Sequence, residues 1–174
     1  MSTGKINELK ILVVGDENIG KTTLLFTYFK GKFTLQLDLT LTGVNLFRKE
    51  REQNTEFSPY AINCWDVAGH DRFHELFPIL TSNIDAVIVV IEKGQEDSIS
   101  KWTTKLFDFL SEKTNRFLIA LVKQDRPIDK SESYQLYSST MKYNFKESFV
   151  LNSSDTKSVN ETFEKIILNL MDTN

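Results

Sequence analysis

The sequence predicts an α/β fold: a mostly parallel six-stranded sheet with helices on both faces and one antiparallel edge strand. Three observations carry this. Short apolar runs recur at residues 11–14, 61–65, 86–91, 117–122 and 149–151. Helical patterns separate most of them, an alternation that favours parallel pairing with both faces covered. The segment 10–25, KILVVGDENIGKTTLL, joins the first run to the first helix through a glycine-bracketed loop.

Taken in order, residues 11–14 are a buried strand, and Gly15 to Gly20 with Lys21-Thr22 spell the P-loop pattern G-x-x-x-x-G-K-[ST] in its strand-loop-helix context. Glycines at both ends let the backbone curl so that NH groups point into one concavity and hold phosphate oxygens. The NH groups concerned are those of Asp16, Glu17, Asn18, Ile19 and Gly20, with Lys21, Thr22 and Thr23 at the positive end of the helix dipole. Lys21 supplies a point charge to the terminal phosphates, and the Thr22 hydroxyl a ligand for Mg2+.

The first helix, residues 20–29, stops at Lys30-Gly31. Residues 33–42 have no clean period and read as an exposed loop. Residues 43–50 and 60–65 pair as a hairpin around the polar stretch 51–59, which gives the antiparallel edge. A short helical segment is predicted at 73–80. Trp102, Leu106, Phe109 and Leu110 form a helical stripe that belongs to the core. The last helix shows a capping box at Ser158 and Glu161, then Val159, Phe163, Ile166, Ile167 and Leu170 on one face.

The whole chain bounds the function further. Its 174 residues suit one domain, residues 1–174 with a core at about 9–171. Lys plus Arg number 21 against 24 Asp plus Glu, a net charge of -3 with scattered basic residues, so nucleic acid is not an expected partner. The lone Cys64 lies in a strand-like run, excludes a disulfide framework and fits a reducing compartment. With no apolar secretory core and no spanning segment, a cytoplasmic or cytosol-facing location is expected.

A second phosphate-site element follows the third strand: Trp65-Asp66-Val67-Ala68-Gly69-His70-Asp71-Arg72-Phe73. An acidic residue at the end of a buried strand is placed to hold magnesium, and Gly69 lets its NH approach a terminal phosphate. This WDVAGHDRF stretch resembles the WDTAGQERF of small Ras-superfamily GTPases, the Rab branch in particular, and the likeness runs from Lys10 to Leu170.

That resemblance implies a small G-domain of the P-loop NTPase class that binds GTP and GDP with Mg2+. Its metal ligands are Thr22, Thr40 and Asp66, and its hydrolytic residues Lys21, Gly69 and His70. Phe33 falls where the family packs an aromatic on guanine, and Thr40 where its switch threonine lies. The glycine-valine step that follows that threonine in Rab proteins appears one residue late, as Gly43-Val44, which leaves Thr42 as the alternative. Protein effectors, exchange factors and GTPase-activating factors are the implied partners through the switch loops. The prenylated tail of typical Rab proteins has no counterpart near Met171-Asp172-Thr173-Asn174, so this chain is not expected to encode membrane association.

Base recognition departs from the family. The N-K-x-D element reads Val122-Lys123-Gln124-Asp125: Asp125 can still accept two hydrogen bonds from guanine and Lys123 can lie along the base, but the asparagine amide is gone, a loss of about 1 kcal/mol. The S-A-K element reads Ser153-Ser154-Asp155. NH groups near Ser154 can meet the guanine carbonyl, while Asp155 brings a negative charge towards the base. His70 replaces the water-orienting glutamine, and Glu17 replaces the glycine that Ras has beside the γ-phosphate. Both point to slow hydrolysis and to weaker nucleotide binding than is usual, with guanine preferred over adenine. A pseudo-GTPase binding module is the alternative, and an adenine-using P-loop enzyme is disfavoured by Asp125.

Overall fold

In a computed structural model, the described residues are 7–31, 43–51, 59–95, 97–110, 118–126 and 143–172, with positions 129, 131, 138 and 140. Six strands form one sheet in the order β2-β3-β1-β4-β5-β6. They are β1 (Asn7–Val14), β2 (Val44–Arg51), β3 (Tyr60–Val67), β4 (Ala86–Glu92), β5 (Leu118–Gln124) and β6 (Glu147–Asn152). All neighbours pair parallel except β2 and β3, whose register sets Val44 opposite Val67 and Asn45 opposite Asp66. The expected parallel sheet with one antiparallel edge strand is therefore what forms.

Why two helical layers cover the sheet follows from the period of two along each strand. Leu9, Ile11 and Val13 of β1, with Ile88 and Val90 of β4, face one cluster together with Leu24, Leu25 and Tyr28 of α1 (Lys21–Lys30) and Phe163, Ile166 and Ile167 of α4 (Thr156–Asp172). Leu12 and Val14, with Val87, Val89 and Ile91, face the other, against Phe77 of α2 (Phe77–Leu80) and Ile99, Trp102 and Leu106 of α3 (Asp97–Phe107). Both faces of β1 and β4 are buried, which is why these strands read as unbroken apolar runs.

Three local expectations change. The segment after Gly69 starts earlier than predicted, as a 3-10 turn over Asp71–Leu76 that runs into α2, with Pro78 tolerated in the first helical turn. Helix α3 ends at Phe107, so Phe109 and Leu110 lie in the turn beyond it, where both NH groups return to the Leu106 carbonyl. The last helix begins at Thr156 rather than after Ser158. Its cap is Asp155, whose carboxylate accepts from the Lys157 NH at 3.0 Å, while the Ser158 hydroxyl instead accepts from the Asn152 NH at 2.9 Å. The predicted apolar face of that helix is the buried one.

Cys64 is fully buried, and burial pushes its thiol well above the ordinary range, consistent with an inert core residue. His74 stacks on Phe77 at 4.9 Å and meets the Trp102 ring edge-on at 5.4 Å, a packing role. Among the described residues no helix is long and apolar enough to cross a membrane.

Candidate functional site

The P-loop bridges the carboxyl end of β1 to the start of α1, the edge of a parallel sheet where ligand sites gather. Asn18 holds a left-handed conformation with φ 56°, and Gly20 caps the helix at φ 87°. A cleft of about 420 Å³ opens over the loop. Its walls are Glu17, Asn18, Gly20, Lys21, Thr22 and Thr23 from the loop and helix, Gly43 and Asn45 from β2 and its approach, and Asp66, Ala68, Gly69, His70, Arg72 and Phe73 from beyond β3. Most of the residues expected around phosphate and magnesium therefore meet in one place.

Lys21 is only 5 % exposed, and its ammonium donates to the carbonyls of Gly15 and Asp16 at 2.9 and 2.8 Å. Burial lowers its pKa, against the opposing pull of Asp66, Asp16 and Glu17. A buried cation beside a concave run of amides is suited to a phosphate, since it is desolvated in advance and aimed by the backbone.

Asp66 is 2 % exposed. Its Oδ2 accepts from the Thr22 hydroxyl at 2.5 Å and from the Asn45 amide at 3.4 Å, whereas its buried Oδ1 has no partner. Burial raises the carboxyl's pKa, partly offset by Thr22, Lys21 and Asn45. An orphaned carboxylate oxygen in a buried site is costly unless a cation meets it. The hard oxygens of Asp66 and Thr22 fit magnesium.

Gly69 shows why the second phosphate-site element needs glycine. A Cβ there would sit 2.5 Å from the Gly15 carbonyl oxygen, the Asp16 carbonyl carbon and the Glu17 nitrogen, all rigid backbone. Gly69→Ala is expected to force this segment off the P-loop and destabilise the protein by about 1–3 kcal/mol, read as a lowered melting temperature. An unchanged melt would show that the two segments do not need this contact.

His70 is exposed at the cleft mouth, and its Nδ1 accepts the Arg72 NH at 3.2 Å, capping the 3-10 turn. A neutral imidazole that accepts at Nδ1 carries its proton on Nε2. The free nitrogen is then a donor and cannot take a proton from an attacking water. Glu17 lines the same cleft.

The residues expected to read a base form a second group beside the first. Lys123 connects them: its side chain passes over Gly20, where a Cβ would lie 3.8 Å from its Nζ, and its ammonium stands 3.8 Å from Glu92. Asp125 receives the hydroxyls of Ser153 and Ser154 on Oδ1. Val122 is 2 % exposed and belongs to the core cluster under α3, so that position offers no polar side chain. Two further residues of this group have partners within the chain. Asp155 serves as a helix cap, its carboxylate turned to the Lys157 NH. The NH of Ser154 is taken by the Asn152 side-chain oxygen at 3.1 Å. Phe33, Thr40 and Thr42 lie outside the described residues.

Sequence reasoning missed one partner of this site, Asn45, and the direction in which the Asp16 side chain turns. Asn45 sits directly opposite Asp66 in the β2-β3 register, so its amide reaches that carboxylate. Asp16 turns its side chain away from the cleft, accepting from Ser98 and Lys101 at 2.5 Å each and from the Trp102 indole NH at 3.1 Å. Burial would raise its pKa, but Lys101, Ser98 and Trp102 bring it below the ordinary value. Only its backbone is left to the cleft, and nothing in the local sequence signals the bond to α3.

Comparison with known proteins agrees with this geometry. A family model described as "Ras of Complex, Roc, domain of DAPkinase" matches residues 10–125. The chain is 31% identical to the GTP-binding protein yptV5 of Volvox carteri over 105 residues, 59% of this chain and 50% of that one. It is 31% identical to the Ras-related protein RabV of Dictyostelium discoideum over 125 residues, 70% and 52% of the two chains. Over 169 residues it is 25% identical to Rab-11C of the same organism, 92% and 71%. The chain spans about half the length of most of these curated relatives. With its P-loop, its buried Asp66 and its sheet order, the chain belongs to the Roc/Ras-type family of small GTPase domains and is Rab-like within it.

Proposed function

We propose that residues 1–174 act as one guanine-nucleotide-binding domain, a GTP/GDP switch in vesicle trafficking or signalling that hydrolyses GTP slowly. The observation that supports it best is the meeting of the Lys21 ammonium, the Thr22 hydroxyl and the half-partnered Asp66 carboxylate in one cleft. In this reading the amides of Asp16 to Gly20, with Thr23, cradle the phosphates, and Lys21 pairs with their terminal oxygens. Thr22, Asp66 and Thr40 hold magnesium, which when bound neutralises the phosphate charge. Phe33, Lys123, Asp125, Ser153 and Ser154 meet the base. Residues 35–44 and 69–77 would order around the γ-phosphate and present a surface to effectors, exchange factors and GTPase-activating factors in the GTP state. The protein would work in the cytoplasm and at the cytosolic face of membranes.

Slow turnover follows from two side chains. His70 presents a donor where a water-orienting acceptor is wanted, and Glu17 adds negative charge beside the developing charge on the transferred group. Either His70→Gln or Glu17→Gly is expected to raise single-turnover GTP hydrolysis by about tenfold. A wild-type rate that neither substitution increases would remove this account.

The alternative, a pseudo-GTPase on the same fold, draws on Val122, which puts a core residue where the base needs an amide. Denaturing the purified protein, identifying the released nucleotide by chromatography and measuring GTP turnover with and without magnesium separates the two. Released guanine nucleotide with slow, magnesium-dependent turnover supports the switch. No released nucleotide and no binding of added GTP supports the module.

A further inference from the structure

The loop after β6 spends its hydrogen-bonding groups inside the chain. The Ser153 NH donates to the Gln124 carbonyl at 2.9 Å and the Asp155 NH to the Asn152 carbonyl at 3.2 Å. The Ser154 NH donates to the Asn152 side-chain oxygen at 3.1 Å. Both serine hydroxyls converge on one atom, Oδ1 of Asp125, with Ser154 at 3.4 Å and Ser153 closer. A carboxylate oxygen offers two lone-pair sites, and the two hydroxyls are directed at those of Oδ1, Ser154 from the longer distance. Oδ2 has no partner among the described residues.

Purines differ in what they offer such a carboxylate. Guanine presents two parallel donors, N1–H and the N2 amino group, which match a carboxylate with both oxygens open. Hypoxanthine presents N1–H alone, and adenine has no proton on N1. With Oδ1 engaged by both hydroxyls, the N2 amino group of guanine finds no acceptor, and the advantage it would bring is lost. The 6-oxo group shared by guanine and hypoxanthine meets a second obstacle, because the Ser154 NH that could donate to it is already held by Asn152.

We infer that Ser154 and Asn152 are specificity-determining residues: Ser154 makes the site take guanine and hypoxanthine nucleotides about equally, and Asn152 competes with the base oxygen of both. This rests on the guanine-nucleotide reading above and refines it. Neither residue blocks the phosphate cleft, so binding is carried by the phosphates and base selection is shallow. A charge-assisted hydrogen bond is worth about ten- to a hundredfold in affinity when present, which sets the scale of the effect.

The test is titration of the full chain with GDP, IDP and ADP in magnesium, by calorimetry, with thermal melts of each protein as a check on folding. The wild type is expected to bind GDP and IDP within about threefold of each other. Ser154→Ala, at an exposed position, reopens Oδ1 and should raise the GDP-to-IDP preference to about tenfold or more, through tighter GDP with IDP unchanged. Ser154→Gly repeats the deletion with a different backbone preference. Asn152→Ala releases the Ser154 NH and should tighten GDP and IDP together, by about threefold or more, without tightening ADP. A wild-type preference for GDP over IDP of tenfold or more, or a ratio unchanged in both Ser154 variants, overturns the inference and leaves guanine-nucleotide binding standing. Tightening of ADP as much as of GDP in Asn152→Ala overturns the role of Asn152. Failure of all three nucleotides to bind the wild type overturns the nucleotide-binding reading itself, and this inference with it.

Discussion

Replacing Lys21 with alanine is expected to weaken GDP and GTP binding by about a hundredfold or more while changing folding stability by only about 1 kcal/mol. The two effects separate because the ammonium has different work in each state. Without ligand it is 5 % exposed and donates to the Gly15 and Asp16 carbonyls. Those bonds offset a burial cost visible in its lowered pKa, and alanine removes the cost and the bonds together. With nucleotide, the same group would form charge-assisted bonds to phosphate oxygens, each worth about 1.5–3 kcal/mol. Calorimetric titration beside a thermal melt checks both halves. Affinity retained within tenfold would show that the loop amides alone bind the phosphates.

Asp66→Asn is expected to stabilise the nucleotide-free protein and to abolish the magnesium dependence of nucleotide binding. The carboxylate is 2 % exposed and keeps one oxygen without a partner, so in the absence of a cation it is a buried charge only partly compensated. Asparagine keeps the shape and can still accept from Thr22 and Asn45, with the charge removed. A gain of about 1 kcal/mol is expected, a rise of about 2–4 °C in melting temperature for a chain of this size. The bound state reverses the sign, because the charge removed is the one that would balance magnesium. Melts with and without GDP and magnesium should cross: the variant melts higher alone and gains less from ligand. A variant that melts lower than wild type without ligand would show that Asp66 is satisfied by the protein itself.

The two predictions locate the cost of function in the fold. Asp66 lies near the end of β3 inside the sheet, where a leucine or valine would pack without penalty, and Gly69 lies so close to Gly15 and Asp16 that no side chain fits. Residues 11–14 of β1 and 86–91 of β4 show no such conflict: they are apolar on both faces and fill the two cores.

Much of this was legible from residue order because it is local. The P-loop, the strand period, the Gly31 stop of α1 and the buried stripe of α4 each depend on a few consecutive residues whose spacing decides what they can do. The residues proposed for phosphate and magnesium were legible for the same reason, since Lys21 and Thr22 sit in one motif and Asp66 lies near the end of a strand. The errors were also physical. Ser158 and Glu161 satisfy a capping pattern, yet Asp155 lies at the turn where the backbone leaves β6 and takes the cap.

By itself the sequence determined the architecture, the P-loop and the identity of the groups proposed to face phosphate. Only the tertiary structure decided where certain side chains turn: Asp16 away from its own loop to Ser98, Lys101 and Trp102 on α3, Asn45 across the hairpin to Asp66, and Ser153 with Ser154 onto one oxygen of Asp125. These partners are separated by 21 to 86 positions in the chain. A hydrogen bond between such residues depends on distances and angles that only the packed elements define, so no local pattern could have announced it.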